Sequence, residues 1–227
     1  MNGLSLSEIR RRGAQRENYL YFTVISNGPG AVLAWLADRV GVTPNWVTIG
    51  GALLCLPAVA LNLTGHIYWA LAVFHLFFVF DCADGILARA TDQKSALGAY
   101  LDDLAHEVFH PFFLMSLALR FHWTGNPAAG FVCMAAAIAN SLFRANYDLL
   151  QKRAVSARAP RESGKTWSDR LRYLAVGSFN YPNLLVGMTV TAWLTGALVA
   201  YLGYSGVMAC LYVLFSSVRT IINARKE

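Results

Sequence analysis

The chain has 227 residues, 56% hydrophobic and 14% charged, with a mean hydropathy of +0.42. Soluble domains carry roughly 25% charged residues, so this composition excludes an ordinary soluble enzyme and predicts an all-α, polytopic integral membrane protein. The formal charge is +6, but no soluble basic domain is present to carry nucleic acid, and the expected partners of the basic surface are anionic lipid headgroups and nucleotide phosphates.

In chain order, residues 1–45 read as an N-terminal segment on the cytoplasmic side. Met1 to Arg16 is polar and basic without an apolar core, so no cleavable secretion signal is expected. Between Ser26 and Val40, the residues Val32, Leu33, Trp35, Leu36 and Val40 recur at helical spacing, with Asp38 and Arg39 elsewhere on the wheel. That pattern predicts an interfacial amphipathic helix, the alternative being an extension of the first span. Residues 46–227 then read as a transmembrane domain of six helices, from runs of about 20 apolar residues near 46–63, 67–89, 97–119, 129–150, 174–200 and 203–222. The fifth has the loosest limits, because Gly177, Pro182 and Gly187 interrupt it. Cys55, Cys82, Cys133 and Cys210 all fall in apolar runs without metal-type spacing and read as buried small hydrophobes.

Of the 19 Lys and Arg residues, all but Arg120 fall in the termini or in the loops after even-numbered spans. The positive-inside rule puts those segments in the cytoplasm, together with the Asp81 to Arg89 end of the second span.

That end carries an acidic constellation. Asp81, Asp84, Gly85 and Ala88 are separated by helical steps and share one stripe. Gly98, Asp102 and His106 form a second stripe on the next helix, and a short turn around Thr91 to Ser95 makes the two helices antiparallel. Carboxylates at membrane depth need a metal, a partner or a water-filled cavity. Three that converge repel one another unless cations sit among them. Oxygen donors without cysteine favour Mg²⁺ or Mn²⁺, and Mg²⁺ commonly shares its shell with substrate phosphates.

The stretch DCADGILARATDQKSALGAYLDDLAH resembles the CDP-alcohol phosphotransferase pattern D-x2-D-G-x2-A-R-x8-G-x3-D-x3-D, matching seven of eight fixed positions with every spacing kept. Thr43, Pro44, Asn45 and Thr48 also resemble the family's frequent P-N-x-x-T segment at the mouth of the first span. The resemblance implies a membrane enzyme of phospholipid biosynthesis. It would move a substituted phosphate, phosphatidyl from CDP-diacylglycerol, to an alcohol hydroxyl, releasing CMP with two divalent ions. Asp81, Asp84, Asp102 and His106 would hold metal, and Gly85, Ala88, Arg89, Ser95 and Gly98 would line the CDP site. Lys152, Arg172 and Arg219, from the basic cytoplasmic segments, would bind a phosphorylated acceptor, although such charges also serve topology alone. Homodimers are common in that family.

His106 stands where the pattern has its last Asp, the residue thought to ligate metal and act as general base. Imidazole can take a proton near neutral pH or bind a divalent ion, but not both through one nitrogen. Three readings stay open: His106 is catalytic together with Asp102, activity is altered or lost, or a neighbour such as Asp103, Glu107 or His110 compensates. Transfer from a soluble CDP-alcohol to a lipid or glycan, a non-catalytic CDP- or lipid-binding protein, and a transporter are the rivals.

Overall fold

Ser5 and Glu8 open the first helix reciprocally. Ser5 Oγ accepts the Glu8 amide at 3.3 Å while the Glu8 carboxylate accepts the Ser5 amide at 2.9 Å, a capping box that satisfies two backbone donors. In the computed structural model, which describes residues 3–14, 24–156 and 181–224, this helix is α1 (Leu6–Gly13). A wide turn at Ser26–Gly30, irregular at Gly28, leads to α2 (Ala31–Val40). Gly41 ends α2 with φ +72, the left-handed cap that a residue without Cβ adopts at little cost. Pro44 occupies the first turn of α3 (Pro44–Leu63), where its missing N–H would have had no helical partner. There follow α4 (Ile67–Ala90), α5 (Ala96–Trp123), α6 (Pro127–Ser156), α7 (Tyr181–Thr191) and α8 (Thr195–Ala224).

Every regular element among the described residues is helical. Four segments, Pro44–Leu63, Ile67–Ala90, Pro127–Asn146 and Thr195–Val218, are long and apolar enough to cross a membrane. At 28 residues and about 1.5 Å per residue, α5 has the length as well, but it carries Asp102, Asp103, Glu107 and Arg120.

The chain divides into two compact units, Met1–Arg120 and Phe121–Glu227. In the first, α4 is the hub against which α1, α2, α3 and the wide turn all pack. Ile9, Ala34, Val47, Ala83, Ile86 and Leu87 form the shared core. Gly13 closes onto Ile86, whose carbonyl oxygen would lie 2.8 Å from any added Cβ. The Leu4 amide donates to Asp38 at 2.8 Å and so ties the start of the chain to α2. Buried Asn62 on α3 donates to the Phe113 carbonyl and Ser116 Oγ on α5 at 3.2 and 3.0 Å. At the far end Arg120 reaches the Leu63 carbonyl at 3.4 Å, a cation at the negative end of α3.

In α2 the buried face is Ala31, Ala34 and Ala37, small enough for close packing, which leaves Val32, Leu36 and Val40 exposed. Two features differ from the sequence reading. Helix α1 lies in the stretch read only as polar and basic. The break after the fifth apolar run falls at residues 192–194 instead of 201–202, and residues 195–200 belong to α8. Glycine in this run is a packing residue: a Cβ on Gly206 would meet the Ala136 Cα of α6 at 3.2 Å. Within the second unit α8 also packs Ala209 against Ala139 and Phe143, and Ser216 donates to Asn146 at 2.9 Å.

Replacing Gly206 with Leu is expected to destabilise the protein by about 1–3 kcal/mol, the usual range for overpacking. Gly203→Ala, whose Cβ would meet Val132 at 3.4 Å, should be nearly neutral. Thermal melting of both variants in detergent checks the contrast.

Candidate functional site

The acidic constellation lies where the C-terminal end of α4 meets the N-terminal half of α5. His106 on α5 reaches Asp81 on α4, and further along Phe113 stacks on Phe74 at 4.2 Å, the order expected of an antiparallel pair. On α4, Asp81, Gly85, Ala88 and Arg89 are partly exposed, whereas Cys82, Ala83, Ile86, Leu87 and Ala90 are buried. One face therefore joins the core and the other lines the site.

His106 Nε2 is 2.8 Å from Asp81 Oδ1 and 3.4 Å from Asp102 Oδ1. The donor atoms of these three residues all lie within 4.8 Å of one another. Two carboxylates at that separation repel by about 3 kcal/mol at an effective dielectric near 20, so the pair favours a cation or an N–H group between its members. The set also fits a divalent ion. Neighbouring positions of an octahedron with ligands at about 2.1 Å are about 3.0 Å apart, and the two histidine distances bracket that spacing. Two oxygens and one imidazole nitrogen suit Mn²⁺ at least as well as Mg²⁺. On its other edge His106 Nδ1 lies 3.2 Å from His110 Nε2.

Asp84 stands outside this group of three. It is buried, and its Oδ2 accepts a short hydrogen bond from the Thr48 hydroxyl on α3. Thr48 Oγ also lies 3.2 Å from the Pro44 carbonyl. The segment Pro44 to Thr48 thereby joins the site. Asn45 Oδ1 would be 2.9 Å from a Cβ placed on Gly98, so the small residue on α5 leaves room for the Asn45 amide. Ser95, expected to line the nucleotide site, accepts the Gly98 amide at 2.9 Å and caps α5.

Arg89 is fixed from an unforeseen direction. Its Nε donates to the Gly13 carbonyl of α1 at 2.8 Å, and its Nη1 would lie 3.0 Å from a Cβ on Gly85. The guanidinium thus lies across the glycine expected to face the nucleotide. Asp103 and Glu107 are exposed, while His110 is buried beside His106. Of the three possible compensating neighbours, His110 contacts His106 at 3.2 Å.

The acceptor residues cannot be followed equally far. Arg172 lies outside the described residues, and for Lys152 on α6 and Arg219 on α8 only the helical backbone is described. Asn146 ties α6 to α8 through Ser216 and Ser217. Sequence reasoning named His110 only as one of three neighbours that could compensate for the missing Asp, and it did not assign Thr48 or Gly13 to the site. The P-N-x-x-T segment pointed to Thr48, but no local signal marks Gly13.

A profile of the family described as CDP-alcohol phosphatidyltransferase matches residues 41–213. The phosphatidylinositol phosphate synthase of Mycobacteroides abscessus is 43% identical over 65 residues, covering 28% of this chain and 30% of that protein. The CDP-diacylglycerol–glycerol-3-phosphate 3-phosphatidyltransferase of Yersinia enterocolitica is 35% identical over 92 residues, covering 38% of this chain and 50% of that protein. The matched region therefore spans half or less of these curated relatives. Among solved structures, Mycobacterium tuberculosis phosphatidylinositol phosphate synthase with CDP-DAG bound has a TM-score of 0.61 at 20% identity, covering 82% of this chain and 91% of that one. The same enzyme with manganese and citrate gives 0.60 at 20% identity, covering 82% and 87%. These two structures share the fold.

Thr48→Val keeps the shape of the side chain and removes the donor to Asp84. Leaving a buried acceptor unsatisfied costs roughly 1–3 kcal/mol, so this variant should melt measurably below the native protein, whereas Thr48→Ser should stay close to it.

Proposed function

The chain belongs to the CDP-alcohol phosphatidyltransferase family, and from that premise we propose that it transfers a phosphatidyl group from CDP-diacylglycerol to an alcohol hydroxyl, releasing CMP, in phospholipid synthesis. The observation that carries this reading is the meeting of Asp81, Asp102 and His106 within 4.8 Å on the motif face of α4 and α5. Asp81, Asp102 and His106 hold one divalent ion, Mg²⁺ or Mn²⁺, and Asp84 contributes to a second. Bound there, such ions neutralise the diphosphate and draw charge from the attacked phosphorus and from the departing CMP.

The chain's own residues do the rest. Gly85, Ala88 and Gly98 keep the helix surfaces low enough for the nucleotide to approach, and Ser95 fixes the start of α5 beside it. Arg89 extends its guanidinium over Gly85 toward the diphosphate, a planar group suited to phosphate oxygens. The acceptor oxygen forms a bond to the phosphorus that carries diacylglycerol. The bond from that phosphorus to the bridging oxygen breaks, and CMP leaves with the electron pair. Asp102, whose side chain is 45% exposed, takes the proton of the acceptor hydroxyl on its second oxygen. His106 acts as a ligand and not as the base, because its two nitrogens face the carboxylates and His110 respectively.

The wider reading comprises six spans, with α5 and the region around α7 completing the four apolar helices. Helix α2 lies in the interface with Val32, Leu36 and Val40 toward lipid, and the site faces the cytoplasm. The near-complete segregation of Lys and Arg away from Arg120 supports that orientation. Lys152, Arg172 and Arg219 receive the phosphate of the acceptor, and the protein works as a homodimer.

CMP release from CDP-diacylglycerol by the purified protein tests the proposal, with glycerol 3-phosphate, inositol phosphate and the unphosphorylated polyols as acceptors. Release is expected with a phosphorylated acceptor, abolished by a chelator and restored by Mg²⁺ or Mn²⁺. Asp81→Asn and Asp102→Asn should each lower the rate on the order of 100-fold or more, the scale lost when a group that supports developing charge is removed. His106→Asp should keep most of the rate that His106→Ala loses. Release only from a soluble CDP-alcohol would reassign the donor, and retained CDP affinity without release under any acceptor would make the protein a binding homologue.

A further inference from the structure

His110 has no part in the transfer described above, yet it is placed with unusual care. It lies one helical turn beyond His106 on α5 and is 1% exposed. Its ring packs edge-on against Phe74 and Phe77 at 5.6 and 5.8 Å and tilts against Phe78 at 5.4 Å. An apolar side chain would suit this cluster better, since burying an imidazole among phenyl rings is unfavourable unless a hydrogen bond compensates. His110 Nε2 lies 3.2 Å from His106 Nδ1, and the two rings meet edge to face at 4.7 Å.

His106 is consequently held at both nitrogens. Neutral imidazole has one N–H and one lone pair. A nitrogen that ligates a cation offers its lone pair, so the ring hydrogen stands on the other nitrogen, and the acceptor of that hydrogen orients the ring. In this chain the nitrogen facing Asp81 and Asp102 is Nε2, which leaves Nδ1 as the donor and His110 Nε2 opposite it. A carboxylate at position 106 has no tautomer to choose and would not need this neighbour.

We propose that His110 is a positioning residue whose Nε2 accepts the His106 Nδ1 hydrogen and thereby fixes the tautomer in which His106 Nε2 ligates the divalent ion shared with Asp81 and Asp102. The proposal rests on the metal-dependent reading above. It links two departures from a plain helix: the histidine in place of the last motif Asp, and a second histidine buried among phenyl rings behind it.

The test is Mn²⁺ binding to the purified full chain, followed by the electron paramagnetic resonance signal of free Mn²⁺ without nucleotide or acceptor. His110→Phe, which suits the aromatic surroundings, is expected to weaken Mn²⁺ binding by about 10- to 100-fold, the usual effect of losing such an orienting partner. His110→Gln, whose amide oxygen can still accept, should recover most of the loss. In a His106→Asp background, His110→Phe should change Mn²⁺ affinity by no more than about twofold, as for uncoupled sites. A merely structural role would weaken binding in both backgrounds. Independently of any substitution, the ring ¹⁵N shifts of the native protein with Mg²⁺ should put the His106 hydrogen on Nδ1. Native Mn²⁺ binding unchanged in His110→Phe, or a His106 hydrogen found on Nε2 with Mg²⁺ bound, overturns this inference alone. A native chain that binds no Mn²⁺ overturns it together with the metal-dependent reading.

Discussion

Two carboxylates forced close together in an apolar bundle are the constraint around which the first unit is arranged. Asp81 and Asp102 would repel by several times the thermal energy, and helices that could slide or rotate freely would separate them. They stay together because α4 is held on its other face by α1, α2 and α3, because a five-residue link returns the chain directly into α5, and because aromatic packing between Phe74 and Phe113 fixes the register lower down. The stability of the hydrophobic core is thus what holds the acidic site in an unfavourable electrostatic arrangement, and the arrangement is what makes the site receptive to a cation. His106 presents one ring nitrogen to both carboxylates and keeps a second for His110, which a carboxylate at the same position could not do.

The N-terminal segment belongs to this machinery more closely than its polar composition suggests. Helix α1 is short, yet it buries Ile9 and brings the Gly13 carbonyl to Arg89. Orienting a guanidinium through its Nε fixes the plane of the fork, which matters when the expected partner is a diphosphate. The close approach depends on Gly13 having no side chain, since a Cβ there would collide with the backbone of Ile86. Backbone packing near the chain start and the aim of a charged group some seventy residues later are therefore one problem.

Much was legible in the sequence because membrane composition and helical periodicity are local properties. The apolar runs predicted α3, α4 and α6 within a few residues of their observed cores, and the motif spacing predicted that Asp81, Asp84 and Asp102 would converge, whereas the observed group is Asp81, Asp102 and His106. The α7–α8 break lies at residues 192–194 instead of 201–202, and Gly203 and Gly206 lie within α8, where Gly206 comes close to the backbone of α6. Helix α1 was missed although Ser5 and Glu8 carry its capping signal, because attention to apolar runs hides an eight-residue polar helix.

By itself the sequence determined the all-helical membrane architecture, the acidic stripes and their resemblance to one family, since each follows from residue type and spacing along a single helix or across a short turn. Only the tertiary structure decided how those residues are used: Asp84 is bound by Thr48, Arg89 is held by Gly13, and His110, indistinguishable in sequence from an ordinary core histidine, stands behind His106. The first two contacts join residues on different helices, and the third depends on ring orientation within one helix. Pattern along the chain fixes which face a residue occupies, but the partner it finds there depends on how neighbouring helices and rings pack.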